Sequence, residues 1–196
     1  SIGGVVALRV AKELEAKGAP AQQVLLIDCA QRNLDDKRLA EQPPLRQLGR
    51  PLLKTLVRQR WVTRPLFQAL AKPGIIKRVL QQAYPSGKNV DDQLVNLLFR
   101  PTQQAGADEA FRGFINLFDD DLAPDLLAQL NTPVALLWGE ADPWEPIAEA
   151  QQWQRFACVK NFHSLGMNGH CPHDEDPELI NPILLELIKS MDPKPC

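Results

Sequence analysis

"SIGGVVALRVAKELEAKGAPAQQVLLIDCA" (residues 1–30) holds two elements that belong together in one kind of architecture. Residues 3–17 carry apolar side chains at helical period: Val6, Val10 and Leu14 fall at i, i+4 and i+8, with Ala7 and Ala11 beside them. Gly18 supplies a C-terminal stop. "QVLLIDCA" (residues 23–30) is a short apolar run with Asp28 near its end, the composition of a strand buried on both faces. A helix feeding such a strand predicts one step of a parallel sheet. Ser1, Ile2, Gly3 and Gly4 then read as the second half of a strand–turn–helix junction, whose own strand would precede Ser1. On that reading the sequence is a fragment of a longer chain, read from Ser1 onward.

Working outward, the signal changes over residues 31–122. Pro and Gly punctuate leucine-rich pieces such as "PLLKTLVRQRW", "PLFQALAK", "GIIKRVLQQAY", "DDQLVNLLFR" and "ADEAFRGFINLF", all at helical spacing. A structureless stretch this long is improbable in a compact domain, so a helical insertion is expected. "TPVALLWGEADPWEP" (residues 132–146) returns to sheet, with a strand over 134–138 and then a Gly–acid turn. "EAQQWQRF" predicts a helix, "ACVKNF" a strand, "HSLGMNGHCPHDEDPE" a loop, and "ELINPILLELIKSM" an amphipathic terminal helix. The expected division is 1–30 and 123–196 as an α/β core, with 31–122 inserted between them.

Composition narrows the classes. The 196 residues are 44% hydrophobic and 23% charged, as for a soluble globular protein. No apolar run approaches the ~18 residues that cross a bilayer. Cys29, Cys158, Cys171 and Cys196 show neither CxxC spacing nor a disulfide-dense pattern, which predicts a reduced, intracellular setting with Cys29 and Cys158 as small core residues. The net charge of −2 hides an asymmetry, because residues 42–90 hold ten Lys or Arg and no acid. Arg46, Arg50, Lys54 and Arg58 recur every four residues among leucines, with Pro51 splitting the stretch into two short helices. Such a face is either simply solvated or rests peripherally on an anionic membrane, with Trp61 and Phe67 admitting a lipid-like ester. Nucleic acid is a poor fit, because basic and aromatic residues are not interleaved.

Three loops are expected at the C-terminal ends of parallel strands, where ligands collect in such sheets. They offer Ser1, Asp142 and His170, in that chain order. A hydroxyl needs a base, a neutral imidazole supplies one, and a carboxylate fixes the imidazole's tautomer. Taken singly, Ser1 is also a natural helix N-cap, Asp142 a turn former before Pro143, and His170 a loop residue. Asp28 competes for the acid role, and His163 and His173 for the base; His163 stands too near its strand and His173 lacks a preceding glycine. Cys171 and His173 lack the further ligands a zinc site needs.

These motifs resemble the α/β-hydrolase superfamily. "SIGG" is similar to the tail of its G-x-S-x-G elbow with Gly3 as the final glycine, "LLWGEADPWEP" to its acid loop and "GMNGHCPHDEDPELINP" to its histidine loop. The resemblance implies a Ser1–Asp142–His170 triad, an oxyanion donor at the Ile2 N–H, and a helical lid for the insertion. It implies chemistry that calls for no metal or organic cofactor. Within the superfamily, "WGEADPW" and "GHCPHDEDPELINP" most resemble the pheophytinase and chlorophyll dephytylase group. That likeness implies an apolar ester substrate such as the phytyl ester of a chlorophyll derivative, in a chloroplast or in the cytoplasm or at the thylakoid surface of a cyanobacterium. Alternatives on the same frame are a haloperoxidase-like or C–C-bond hydrolase, or an inactive protein that only binds an apolar ligand. An N-terminal nucleophile hydrolase would use the α-amine of Ser1 as its base, but its chain would begin in a strand.

Overall fold

A computed structural model of the chain describes residues 1–31, 59–116 and 122–190. Two compact units emerge: Ser1–Gln31 with Gln82–Asn89 and Leu122–Cys196, and Arg32–Gln81 with Val90–Asp121. The segment 82–89, expected in the insertion, groups with the first unit.

That unit is built on three parallel strands, β1 (Val24–Ile27), β2 (Val134–Trp138) and β3 (Val159–Ser164), in the order β1-β2-β3. Alternate residues of β1 and β2 point to opposite faces, and both faces are covered. On one side Leu26, Val134, Leu136 and Trp138 pack with Val5, Leu8 and Ala11 of α1 (Ile2–Ala16) and with Leu126 and Leu127 of a short helix, Ala123–Leu127. On the other, Ala135 and Leu137 meet Ile180 and Leu187 of the helix Pro177–Lys189. A strand buried on both faces must be apolar throughout, which is why "VALLW" shows no polar alternation. The β2–β3 register shifts between Val134 and Ala135, so that Lys160 is passed over in the pairing.

Helix α1 follows the expected period but turns a different stripe inward. Val5, Leu8 and Ala11 are buried, whereas Val6 and Val10 are 54% and 51% exposed. The helix is apolar on two sides, and periodicity alone does not say which side meets the sheet. At its far end the Glu15 carboxylate accepts hydrogen bonds from the Thr132 N–H, the Thr132 hydroxyl and the Asn131 N–H, tying α1 to the entry of β2. At its near end Gly4, rather than Gly3, makes the close approach: a Cβ on Gly4 would stand 2.5 Å from Cys29 Sγ, while one on Gly3 meets nothing within 4 Å. Cys29 and Cys158 are buried in this core. Strand β3 runs two residues past "ACVKNF", to Ser164, and so includes His163.

The second unit is helical where described. Its helices include Arg60–Leu70, Asp92–Thr102 and Ala107–Asn116. The first starts five residues ahead of Pro65, where a new helix was expected; Pro65 removes only one intrahelical bond there. The Phe67 ring meets that of Phe111 at 5.4 Å, tilted by 42°, and Arg60 and Arg64 pair with Glu109 and Asp108. The basic run is thus partly met by acids of the same unit, although exposed pairs of this kind stabilise by only about 0–1 kcal/mol. Arg46, Arg50, Pro51, Lys54, Arg58 and Cys196 lie outside the described residues. Among the described residues no helix is long and apolar enough to cross a membrane.

Candidate active site

Each strand of the first unit ends in a loop at the same edge of the sheet. After β1, Asp28 takes a positive φ of 43°, a conformation Asp tolerates better than most side chains. Its N–H donates to Leu137 O (3.1 Å), and its Oδ1 accepts the Gly139 N–H (3.0 Å). The β2 loop and the β3 loop interlock through backbone: Glu140 N–H donates to Gly166 O (2.8 Å) and Ala141 N–H to Asn168 O (3.0 Å). This lacing brings Asp142 and His170 together. The His170 Nδ1–H donates to Asp142 Oδ2 at 2.8 Å, and both side chains are almost wholly buried.

The other Asp142 oxygen is equally occupied. Oδ1 accepts the N–H of Trp144 (2.8 Å) and of Glu145 (3.1 Å). Burial alone would raise this carboxyl, but the His170 bond, helped by these two N–H groups, outweighs it and holds the pKa below the ordinary value. An ionised Asp142 can only accept, so the His170 proton sits on Nδ1 and Nε2 is left as the basic nitrogen. The Trp144 ring stands edge-on to the imidazole at 4.9 Å.

Ser1 sits at the N-cap of α1, beside the end of β1. Its carbonyl accepts from Ala30 N–H (3.3 Å), and its amine donates to the Asp28 carbonyl. Its hydroxyl makes no capping hydrogen bond, so the capping role that serines often fill is not taken up. Among the described residues no hydrogen bond joins that hydroxyl to His170. Ile2 is the first residue of α1, where the leading N–H groups have no intrahelical acceptor.

The remaining candidates are placed elsewhere. His163 is paired in register with Leu137, its Nε2 enclosed without a partner among the described residues. His173 is exposed on the short helix Pro172–Glu175. Burial pushes the Cys171 thiol up, which disfavours its thiolate. No cluster of three or more metal-ligating side chains occurs among the described residues. Asp28 does not bond His170; it braces Gly139, and its enclosed Oδ2 has no partner there.

Burial, with the nearby Asp142 charge acting in the same direction, pushes the Asp28 carboxyl up to about 8. Glu145, half-buried and accepting the Gln31 N–H at 2.7 Å, is pushed up by burial to about 7. Sequence reading missed Glu145 because its hydrogen-bond partner, Gln31, lies more than a hundred residues away. The unfolded Asp28 carboxyl ionises near its ordinary 3.8, while the folded one keeps its proton to about 8. Between those values the native state holds a proton the unfolded chain has released, so stability falls as pH rises, by on the order of 1.4 kcal/mol per unit at most. Asp28→Asn removes this slope. Its Tm is expected to drop less than that of the native chain between about pH 5 and about pH 7.5. Parallel curves in a thermal melt would show that Asp28 is ionised throughout.

The alpha/beta hydrolase family profile matches residues 1–183. The chain belongs to the alpha/beta hydrolase family. Among curated members it is 30% identical to the "Uncharacterized hydrolase YugF" of Bacillus subtilis (strain 168) over 120 residues, 61% of this chain and 44% of that one. It is 24% identical to "Pheophytinase, chloroplastic" of Arabidopsis thaliana over 135 residues, 67% of this chain and 28% of that one. The chain therefore spans less than half the length of either relative. Among solved structures, a thermophilic esterase from Thermogutta terrifontis shares the fold with a TM-score of 0.65 at 17% identity, covering 98% of this chain and 64% of the esterase.

Proposed function

We propose that this chain carries the nucleophile, base and acid of a serine hydrolase acting on a carboxylic ester. The observation that carries the reading is the buried Asp142–His170 hydrogen bond, which leaves Nε2 basic on the edge that also holds Ser1. In this reading Nε2 takes the Ser1 hydroxyl proton as Oγ attacks the ester carbonyl. Asp142 stabilises the imidazolium, and the Ile2 N–H donates to the oxyanion. Collapse of the tetrahedral intermediate breaks the C–O bond to the alcohol, which leaves with the Nε2 proton. Water then repeats the sequence on the acyl-enzyme.

A bulky apolar ester such as a phytyl ester is supported by the relationship to the plant pheophytinase, and with it a chloroplast or thylakoid setting. Peripheral contact with an anionic membrane is supported by the repeating Arg46, Arg50, Lys54 and Arg58 and by Trp61, which is 71% exposed.

A fluorophosphonate probe tests the chemistry, because it reacts only with an activated hydroxyl. Labelling is expected at Ser1 and is expected to vanish in His170→Ala. Ser1→Ala is expected to lower hydrolysis of a p-nitrophenyl ester by at least about 10³-fold. Ester turnover that survives Ser1→Ala would remove the nucleophile from this account.

A further inference from the structure

Like Asp28, Glu175 of the first unit is a buried carboxyl group that plays no part in the chemistry above. Glu175 is 1% exposed. Its Oε2 accepts the Gly169 N–H at 2.7 Å, and its Oε1 accepts the Ser86 N–H at 2.8 Å. A carboxylate withdrawn from water is costly unless its lone pairs are filled, and here each oxygen takes a backbone donor. The two donors are some eighty residues apart in sequence, and one belongs to the residue immediately before His170.

The same two backbone segments meet at three further points. His170 N–H donates to Ala83 O (2.9 Å), the Tyr84 hydroxyl donates to Asp174 Oδ2 (2.7 Å), and Asn89 Nδ2 donates to Asp174 O (2.6 Å). The approach is so close that a Cβ on Gly169 would stand 2.1 Å from Ala83 O. The peptide N–H groups of residues 169 and 170 are therefore both committed, the first to Glu175 and the second to Ala83. With both fixed, the backbone that carries the imidazole has little freedom to rotate, and Nδ1 is held on Asp142.

We infer that Glu175 is a positioning residue for His170, clamping the histidine loop to residues 83–86 so that the imidazole keeps its bond to Asp142. This rests on the reading of His170 as the base, and it deepens that reading. Glutamine at 175 has nearly the same shape but only one acceptor oxygen; its NH₂ would face an N–H, donor against donor. One backbone bond would then be lost and the loop released.

The test is the Glu175→Gln variant of this chain, read by proton NMR and by ester kinetics. The far-downfield resonance of the His170 Nδ1–H, absent in His170→Ala, reports the bond to Asp142 whether or not the chain turns over an ester. In Glu175→Gln it is expected to broaden or disappear. kcat is expected to fall by about 10²-fold with KM little changed, the scale of an ångström-sized misplacement. An unaltered resonance would overturn the inference, and it would do so even where the hydrolase reading failed for other reasons. If Glu175→Gln does not fold, amide exchange in the unmodified chain decides. Protected N–H groups at both Gly169 and Ser86 are expected, and free exchange at either would sink the clamp.

Discussion

Asp142→Asn is expected to lower ester turnover by about 10⁴-fold while leaving the chain folded, a scale set by the same change in a serine protease. The carboxamide can keep the Oδ1 half of the site intact. Its oxygen replaces Oδ1 and still accepts the N–H groups of Trp144 and Glu145 at 2.8 and 3.1 Å. Its NH₂ then faces His170 Nδ1, which must become an acceptor, so the imidazole proton moves to Nε2. That nitrogen can no longer take a proton from a hydroxyl. The loss belongs to kcat, because the tautomer decides proton transfer and touches substrate binding little. Steady-state kinetics alongside a thermal melt make the comparison, and a fall of less than tenfold would mean that Asp142 does not set the tautomer.

Gly139→Ala is expected to be worse for the fold. A Cβ there would lie 2.3 Å from Asn168 O, 2.5 Å from Gly169 O and 2.8 Å from the Asn168 carbonyl carbon. All three are backbone atoms of the histidine loop, so no side chain can swing aside. Relief requires the β2 and β3 loops to separate, which breaks the Ala141–Asn168 bond and loosens the Asp28 brace on Gly139. A cost of about 3–5 kcal/mol is expected, at the upper end for single substitutions. For a chain of this size that lowers Tm by about 6–20 °C. A melt within about 2 °C of the native chain would mean that the loops are not locked together as described.

How much of this could be read from the residues differs from element to element. "VALLW" was legible as a doubly buried strand because five successive apolar side chains, closed by the Gly–acid turn that follows, suit a strand covered on both faces. "WGEADP" and "NGH" mark the two loops that the hydrogen bond joins, because glycine and acid at a strand end are local signals. What stayed hidden depends on distant partners. The inward stripe of α1 was ambiguous because the helix is apolar on two sides. The clamp on Glu175 looked like one acid in the run "PHDEDPE", and only the fold brings it to Ser86. The mutual fit of Gly139 with Asn168 leaves no trace in local spacing. The grouping of Gln82–Asn89 with the sheet was equally illegible, because "QAYPSGKN" reads locally as one more connection between helical pieces and its partners lie some eighty residues away.

That last segment matters to anyone who wants to recombine such enzymes. Exchanging residues 32–121 as a single cassette would carry away Ala83, Tyr84, Ser86 and Asn89, and with them the tethers that, among the described residues, reach the histidine loop from that part of the chain. The natural seams lie instead at 31/32, 81/82, 89/90 and 121/122. A transplant cut at those four joints swaps two pieces and leaves the recipient's own octapeptide in place.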